Sequence, residues 1–379
     1  MKRNSLIGLA VAAGVVVVLA ILVVEQRTSE TRPAAGAGLM FEGLLGKVNS
    51  VASIEVDDGG DGFTLTRTAE SWGIAEKSNY PVRFDLVKNV IMGVAELELV
   101  ASKTKDPARH GALGLNDPEA EEGASIGLIL ADDTGATLAN LLVGKTVRAG
   151  GEPRYVRRPN EDQTWLSKGA VDVGKKPLDW VEIMLTEIRH DRVRKIAFTH
   201  PDGDRSVLER MDQSDFDFIY MDIPDGMRAL DPSKLNSVGG ALAFLSMRDV
   251  RSASTLNFDP TEAVVTRFDT WDGVVVTVTS IDVDGKKWAQ FEVEFNESLV
   301  IGKTSEAEPS AGESDEEEGE PEDPYAAQRE EVSTISARTQ GWAYALDDNK
   351  INQLRRRSED FVELNVPDDE AAEDLRTNE

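Results

Sequence analysis

Val51-Ala-Ser-Ile-Glu-Val56, Asp57-Asp-Gly-Gly-Asp-Gly62 and Phe63-Thr-Leu-Thr-Arg67 run together as one stretch, and its reading decides the fold. Apolar and polar residues alternate on both sides of a turn rich in Asp and Gly, which is the pattern of a β-hairpin. Trp72 follows it. The pattern returns at Val193-Arg-Lys-Ile-Ala-Phe198, Pro201-Asp-Gly-Asp204 and Ser206-Val-Leu-Glu-Arg210, with Phe216 and Phe218 behind.

Each hairpin leads into a stretch with helical spacing. In the first, Phe84 and Asp85 open a segment that places Leu86, Val90, Val94 and Leu97 on one face. In the second, Asp231-Pro232-Ser233 opens one with Leu235, Val238, Leu242 and Leu245. Asp and Ser suit helix N-termini because their side chains satisfy free backbone N–H groups. Val90, Val94, Leu97 and Leu99 map onto Val238, Leu242, Leu245 and Met247 with a constant offset of 148. Further strand pairs are expected at 125–130 with 138–143 and, as their counterpart, at 274–281 with 288–295. Closing strands are expected at 154–158 with 164–166, and at 341–346. The expected class is therefore α+β: an N-terminal transmembrane helix, then two similar units of hairpin, helix and antiparallel strands that arose by internal duplication.

The expected organisation is a cytoplasmic tip and anchor over 1–24, a tether over 25–45, a first unit over 46–188 and a second over 189–364. An acidic disordered insertion at 305–324 interrupts the second unit, and an acidic tail occupies 365–379. The anchor rests on the run from Leu6 to Val24, nineteen uncharged and mostly apolar residues behind Lys2 and Arg3. At about 1.5 Å rise per residue that length crosses roughly 30 Å of hydrocarbon as a helix. The leading positive charges keep residues 1–5 cytoplasmic and export the rest. A cleaved signal peptide is the competing reading, but its apolar core normally runs only about 7–15 residues.

The chain has 379 residues, no cysteine and a net charge of −28. Without cysteine there is no disulfide framework, thiolate metal site or thiol nucleophile. Between Ser305 and Asp323 stand ten acidic residues and no basic one; between Glu359 and Glu379 stand nine acidic residues and one Arg. Without these two segments the charge falls to −10. Both runs read as solvated and disordered. The remainder is still acidic, which argues against a nucleic-acid partner, because phosphate binding needs clustered Lys and Arg.

Searching for chemistry yields no catalytic, cofactor-binding or metal residues. His110, His190 and His200 are the only histidines, and none has ligand spacing. The turns 57–62 and 282–285 resemble pieces of a calcium loop but lack its register and its bidentate Glu. A carboxylate pair of glycosidase type is open among 69 acidic residues. Trp72, Trp165, Trp180, Trp271, Trp288 and Trp342 could form a sugar platform, although single Trp residues at strand ends more often fill core edges.

Trp72-Gly-Ile74, Tyr80-Pro81 and Gly114-Leu-Asn-Asp-Pro118 together suggest a family, with Leu142-Val-Gly-Lys145, Tyr155-Val-Arg157 and Pro177-Leu-Asp-Trp180 further on. Their order and spacing over about 50–185 resemble the domain-of-unknown-function family four-three-four-zero, and the second unit looks like a degenerate copy. The acidic insertion departs from that pattern. The resemblance implies an anchored bacterial envelope protein, often encoded beside gliding-motility-type ABC transporter components, and carries no catalytic residues. The expectation is a non-enzymatic accessory protein in the periplasm, single-pass in the inner membrane through Leu6 to Val24, with transporter subunits as partners. An envelope carbohydrate-binding protein or hydrolase using a carboxylate pair is the alternative.

Overall fold

A computed structural model describes residues 38–365 except 70, 148–152, 170, 260 and 302–322. The expected anchor and almost all of the acidic insertion and tail lie outside these residues. The chain divides into two compact units, Met1–Val181 and Glu182–Glu379.

In the first unit the chain runs through β1 (Gly38–Leu39), β2 (Val51–Asp57), β3 (Phe63–Arg67), β4 (Trp72–Ile74) and β5 (Tyr80–Pro81). Helix α1 (Phe84–Ala95) and β6 (Glu98–Ser102) come next, then the short α2 (His110–Leu113). Strands β7 (Ile126–Asp132), β8 (Thr137–Thr146), β9 (Arg154–Arg157) and β10 (Thr164–Lys168) complete it. All ten strands join one sheet in the order β1-β6-β10-β9-β8-β7-β2-β3-β4-β5. Alternation makes the faces: along β7 every second residue from Ile126 to Leu130 is buried. Helix α1 buries Val87, Val90, Ile91, Val94 and Ala95, a stripe with helical period. Residues 38–45, expected within a tether, are anchored: β1 pairs with β6, and Met40 and Leu44 are buried.

The second unit contains β11 (Met184–Thr186), β12 (Val193–Thr199), β13 (Arg205–Glu209), β14 (Ile219–Tyr220) and β15 (Met227–Ala229). Helix α3 (Pro232–Gly239), β16 (Leu245–Ser252), β17 (Val264–Thr270), β18 (Val274–Val283) and β19 (Lys286–Phe295) follow. After the acidic insertion come α4 (Ala326–Thr339), β20 (Trp342–Leu346), α5 (Asp348–Gln353) and β21 (Val362–Leu364). Nine strands form a sheet ordered β11-β16-β20-β19-β18-β17-β12-β13-β14, while β15 pairs with β21. Each strand of this sheet holds the place of the strand numbered ten lower in the first unit. The match extends to an irregularity: the β2–β7 register slips between Val51 and Ser53, and the β12–β17 register slips between Val193 and Lys195.

These observations correct the α+β class. Large antiparallel sheets dominate both units, and helices are few and short among the described residues. The second expected helix is cut to eight residues, because Gly239 and Gly240 end it and Leu245 and Met247 lie in β16. Strand β17 was not expected, so the hairpin at 274–281 and 288–295 answers to β8–β9; the true counterpart of β7–β8 is β17–β18. No helix among the described residues is long and apolar enough to cross a membrane, and the expected transmembrane helix falls outside them.

Candidate functional site

The residues singled out by sequence go mostly into structure. His110 and His200 are buried, each with Nε2 at 2.9 Å from a backbone carbonyl, that of Asp162 and that of Arg356 respectively. Five tryptophans are buried, and Trp342 is half-buried. In the turn 57–62, Asp57 and Asp58 accept bonds from the N–H groups of Gly59 and Gly60, as hairpin turns do. In the other calcium-like turn, Asp284 and Gly285 have φ of 55° and 74°, which is a two-residue hairpin loop. Among the described residues no group of three His, Asp or Glu could hold a metal ion.

The shared motifs converge on one corner of the first unit. Arg157, buried on β9, donates to the Leu115 carbonyl through Nε (3.2 Å) and Nη2 (3.1 Å), to the Pro159 carbonyl (2.9 Å) and to Asp117 (2.8 Å). Lys145 reaches the Ala112 carbonyl at 3.2 Å. Gly114 follows α2 with φ of 69°, and a Cβ there would meet Lys145. Gly114-Leu-Asn-Asp-Pro118, Lys145 and Arg157 thus tie the loop before β7 to β8 and β9. Trp180 closes another corner: its carbonyl accepts from Arg83 N–H (2.8 Å), and its Nε1 donates to Gly174 O (3.0 Å). These are framework roles.

An open groove of about 600 Å³ lies elsewhere on the first unit. One wall is the 3-10 turn Leu44–Ser50 with Val48 and Asn49; another is the β3–β4 turn from Arg67 to Trp72. The third is α1, which presents Phe84, Lys88, Ile91 and Met92. Those positions, spaced four, seven and eight from the first, form one stripe of the helix, with Ile91 at the edge of its buried face and the other three beside it. Phe84 stands 57% exposed on the rim, which is uncommon for so large an apolar side chain. The β3–β4 turn is held by Thr68 and Ser71, whose backbone and hydroxyl bonds are 2.9 and 3.0 Å.

Among the described lining residues the charged ones are Arg67 and Lys88, both cations. Arg67 Nη1 donates to the Asn49 carbonyl at 3.0 Å, which aims its guanidinium along the groove. Lys88 is exposed and has no hydrogen-bond or ion-pair partner among the described residues. The described lining contains no carboxylate or imidazole that could act as a general base. Its described residues offer apolar contact beside two positive charges.

Sequence reasoning missed this site. The signal was present in α1, where Phe84, Lys88 and Met92 fall outside the buried stripe, but it is indistinguishable from an ordinary solvated face without the neighbouring turns.

A basin of about 590 Å³ in the second unit is more polar, lined by His200, Lys287 and Arg355 to Arg357. Its arginines are already engaged: Arg355 with Asp282 (2.6 Å), Arg356 with Asp360 (3.6 Å) and Arg357 with Asp202 (2.7 Å). Such internal pairing leaves the groove of the first unit as the better candidate.

No curated protein and no solved structure matches the chain. The model of a family described as a domain of unknown function, DUF4340, matches residues 72–270, from β4 to the end of β17 and more than half of the chain. This protein belongs to that family.

Proposed function

We infer that the protein is a non-enzymatic accessory protein held at the outer face of a bacterial inner membrane by the stretch from Leu6 to Val24, where it docks to an ABC-type transporter complex. The observation that carries this reading is that stretch itself, nineteen uncharged residues directly behind Lys2 and Arg3. The groove beside α1 supports it, because its described lining is apolar, carries two cations and suits the docking of a partner segment. A carbohydrate platform draws less support, since five of the six tryptophans are packed inside the units.

The test is affinity recovery of the full-length protein from membranes under mild detergent. Transporter subunits are expected to co-purify in fixed stoichiometry. Recovery of the protein alone after cross-linking would overturn the reading.

A further inference from the structure

The second unit shows what covers the place that the first unit leaves open. In the ladders, Leu65 pairs with Ile74 and Arg67 with Trp72, while Leu208 pairs with Tyr220. Continuing two residues along β13 and its neighbour puts Arg210 opposite Phe218, so these hold the places of Arg67 and Trp72. Both arginines reach back to the 3-10 turn before the hairpin: Arg67 to the Asn49 carbonyl at 3.0 Å, Arg210 to the Asp191 carbonyl at 2.8 Å. The helices align through the buried pair Val90 and Val238, which sets Lys88 against Asn236 and Ile91 against Gly239.

Between arginine and aromatic the loop has four residues in the first unit, 68–71, and seven in the second, 211–217. The three added residues carry Asp215, Phe216 and Asp217 onto the counterpart of the groove. Phe216 stacks on His190, which holds the place of Val48, with ring centroids 4.8 Å apart. Asp217 Oδ1 accepts from Asn236 at 2.6 Å, the position of Lys88. Arg210 donates to the Asp215 carbonyl at 2.9 Å. Three contacts of this loop, in which Phe216 remains 69% exposed, therefore have counterpart positions in the open groove, and at one of them Lys88 stands where the second unit has the neutral Asn236.

We propose that the groove between α1 and the β3–β4 turn binds an extended segment of a separate protein in which an aromatic residue is flanked by carboxylates, as in Asp215-Phe216-Asp217. The aromatic ring lies on Val48, the counterpart of His190; a flanking carboxylate meets Lys88, and a backbone carbonyl takes the Arg67 donors not used on Asn49. Charge complementarity selects an acidic segment over a neutral one, because Lys88 is exposed, has no partner among the described residues, and attracts an exposed carboxylate without a burial cost. This rests on the reading of the chain as a docking protein and names the chemistry of what it docks.

The test titrates the full-length protein in detergent with a fluorescein-labelled peptide of sequence 211–218, Met-Asp-Gln-Ser-Asp-Phe-Asp-Phe, followed by polarisation. Saturable binding is expected. Lys88→Glu in the protein should weaken it roughly five- to tenfold, and a peptide carrying Phe216→Ala roughly tenfold or more. Absence of saturation at about millimolar peptide, the weak end of specific recognition, would overturn the proposal. So would affinity indifferent to both changes. Self-association of the protein that Phe216→Ala in the chain abolishes would make a second copy the occupant, and would also overturn it. Peptide binding without transporter recovery would sink only the proposed function; the reverse would sink only this inference.

Discussion

Gly239 and Phe218 stand so close that a Cβ on the glycine would lie 2.4 Å from Cε2 of the ring. The same Cβ would be 2.6 Å from Cδ2 of His190. Phe218 is buried and packed under Arg210, whose guanidinium lies 5.2 Å from the ring centroid, so the ring has little room to yield. Gly239→Ala should lower the stability of the second unit by about 1–3 kcal/mol through overpacking. The gain in helix propensity, at most about 1 kcal/mol, does not offset this at the last residue of α3. Denaturant midpoints equal to those of the unaltered protein would refute the steric account.

His190 introduces a pH dependence. Burial, and next the charge of Arg210, hold its imidazole below the ordinary histidine range, against weaker opposing pulls from Asp191 and Asp217. Both ring nitrogens are buried without a hydrogen-bond partner among the described residues, so the folded state favours the neutral form. The unfolded chain then binds more protons, and stability is lost as pH falls below the ordinary value near 6.5. Unfolding between about pH 7.5 and pH 5, the window of free histidine, should show this loss, and His190→Leu should reduce it. Asp132 and Asp231, held below the usual carboxylate range by bonds from Thr134 and Ser233, act in a separate and more acidic window.

Arg157 is expected to be irreplaceable by lysine. A single ammonium cannot reach the Leu115 and Pro159 carbonyls and Asp117 together, as the planar guanidinium does. Arg157→Lys should cost about 2–3 kcal/mol, the loss of buried charge-assisted bonds. Thermal unfolding of the two proteins decides it, and a shift within error would show the motif corner to be dispensable.

Gly59 is required twice over. Its φ is +85°, and a Cβ would fall 2.0 Å from the Pro118 carbonyl oxygen, a backbone atom that cannot rotate away. Gly59→Ala should destabilise the first unit by on the order of 2–4 kcal/mol. Gly135, also at positive φ but with open space around it, should lose only the conformational part, about 1–2 kcal/mol. Equal losses at the two sites would remove the collision from the explanation.

Particular elements show why some features were legible. The hairpins β2–β3, β12–β13 and β18–β19 are marked by alternation around Asp-Gly turns, signals contained within about fifteen residues. Strand β17 alternates too, burying Val264, Thr266, Phe268 and Thr270, but two of these are polar and the pattern fades. The spacing after Asp231 predicts too long a helix, because Leu242 and Leu245 continue it past the glycines that end α3. The α+β class fails for the same reason: helical spacing in a few short segments does not outweigh two sheets of ten and nine strands.

Taken alone, the sequence determined the hairpins, the lack of cysteine chemistry, the apolar stretch from Leu6 to Val24 and the family of the chain, because each is written in neighbouring residues or in short motifs. Tertiary structure decided which strands lie side by side, as in β6 between β1 and β10. It alone set Lys88 across from Arg67. It also decided that one groove stays open while its counterpart is covered: three added loop residues and a glycine in place of Ile91 act only where distant segments meet, through packing that no local pattern encodes.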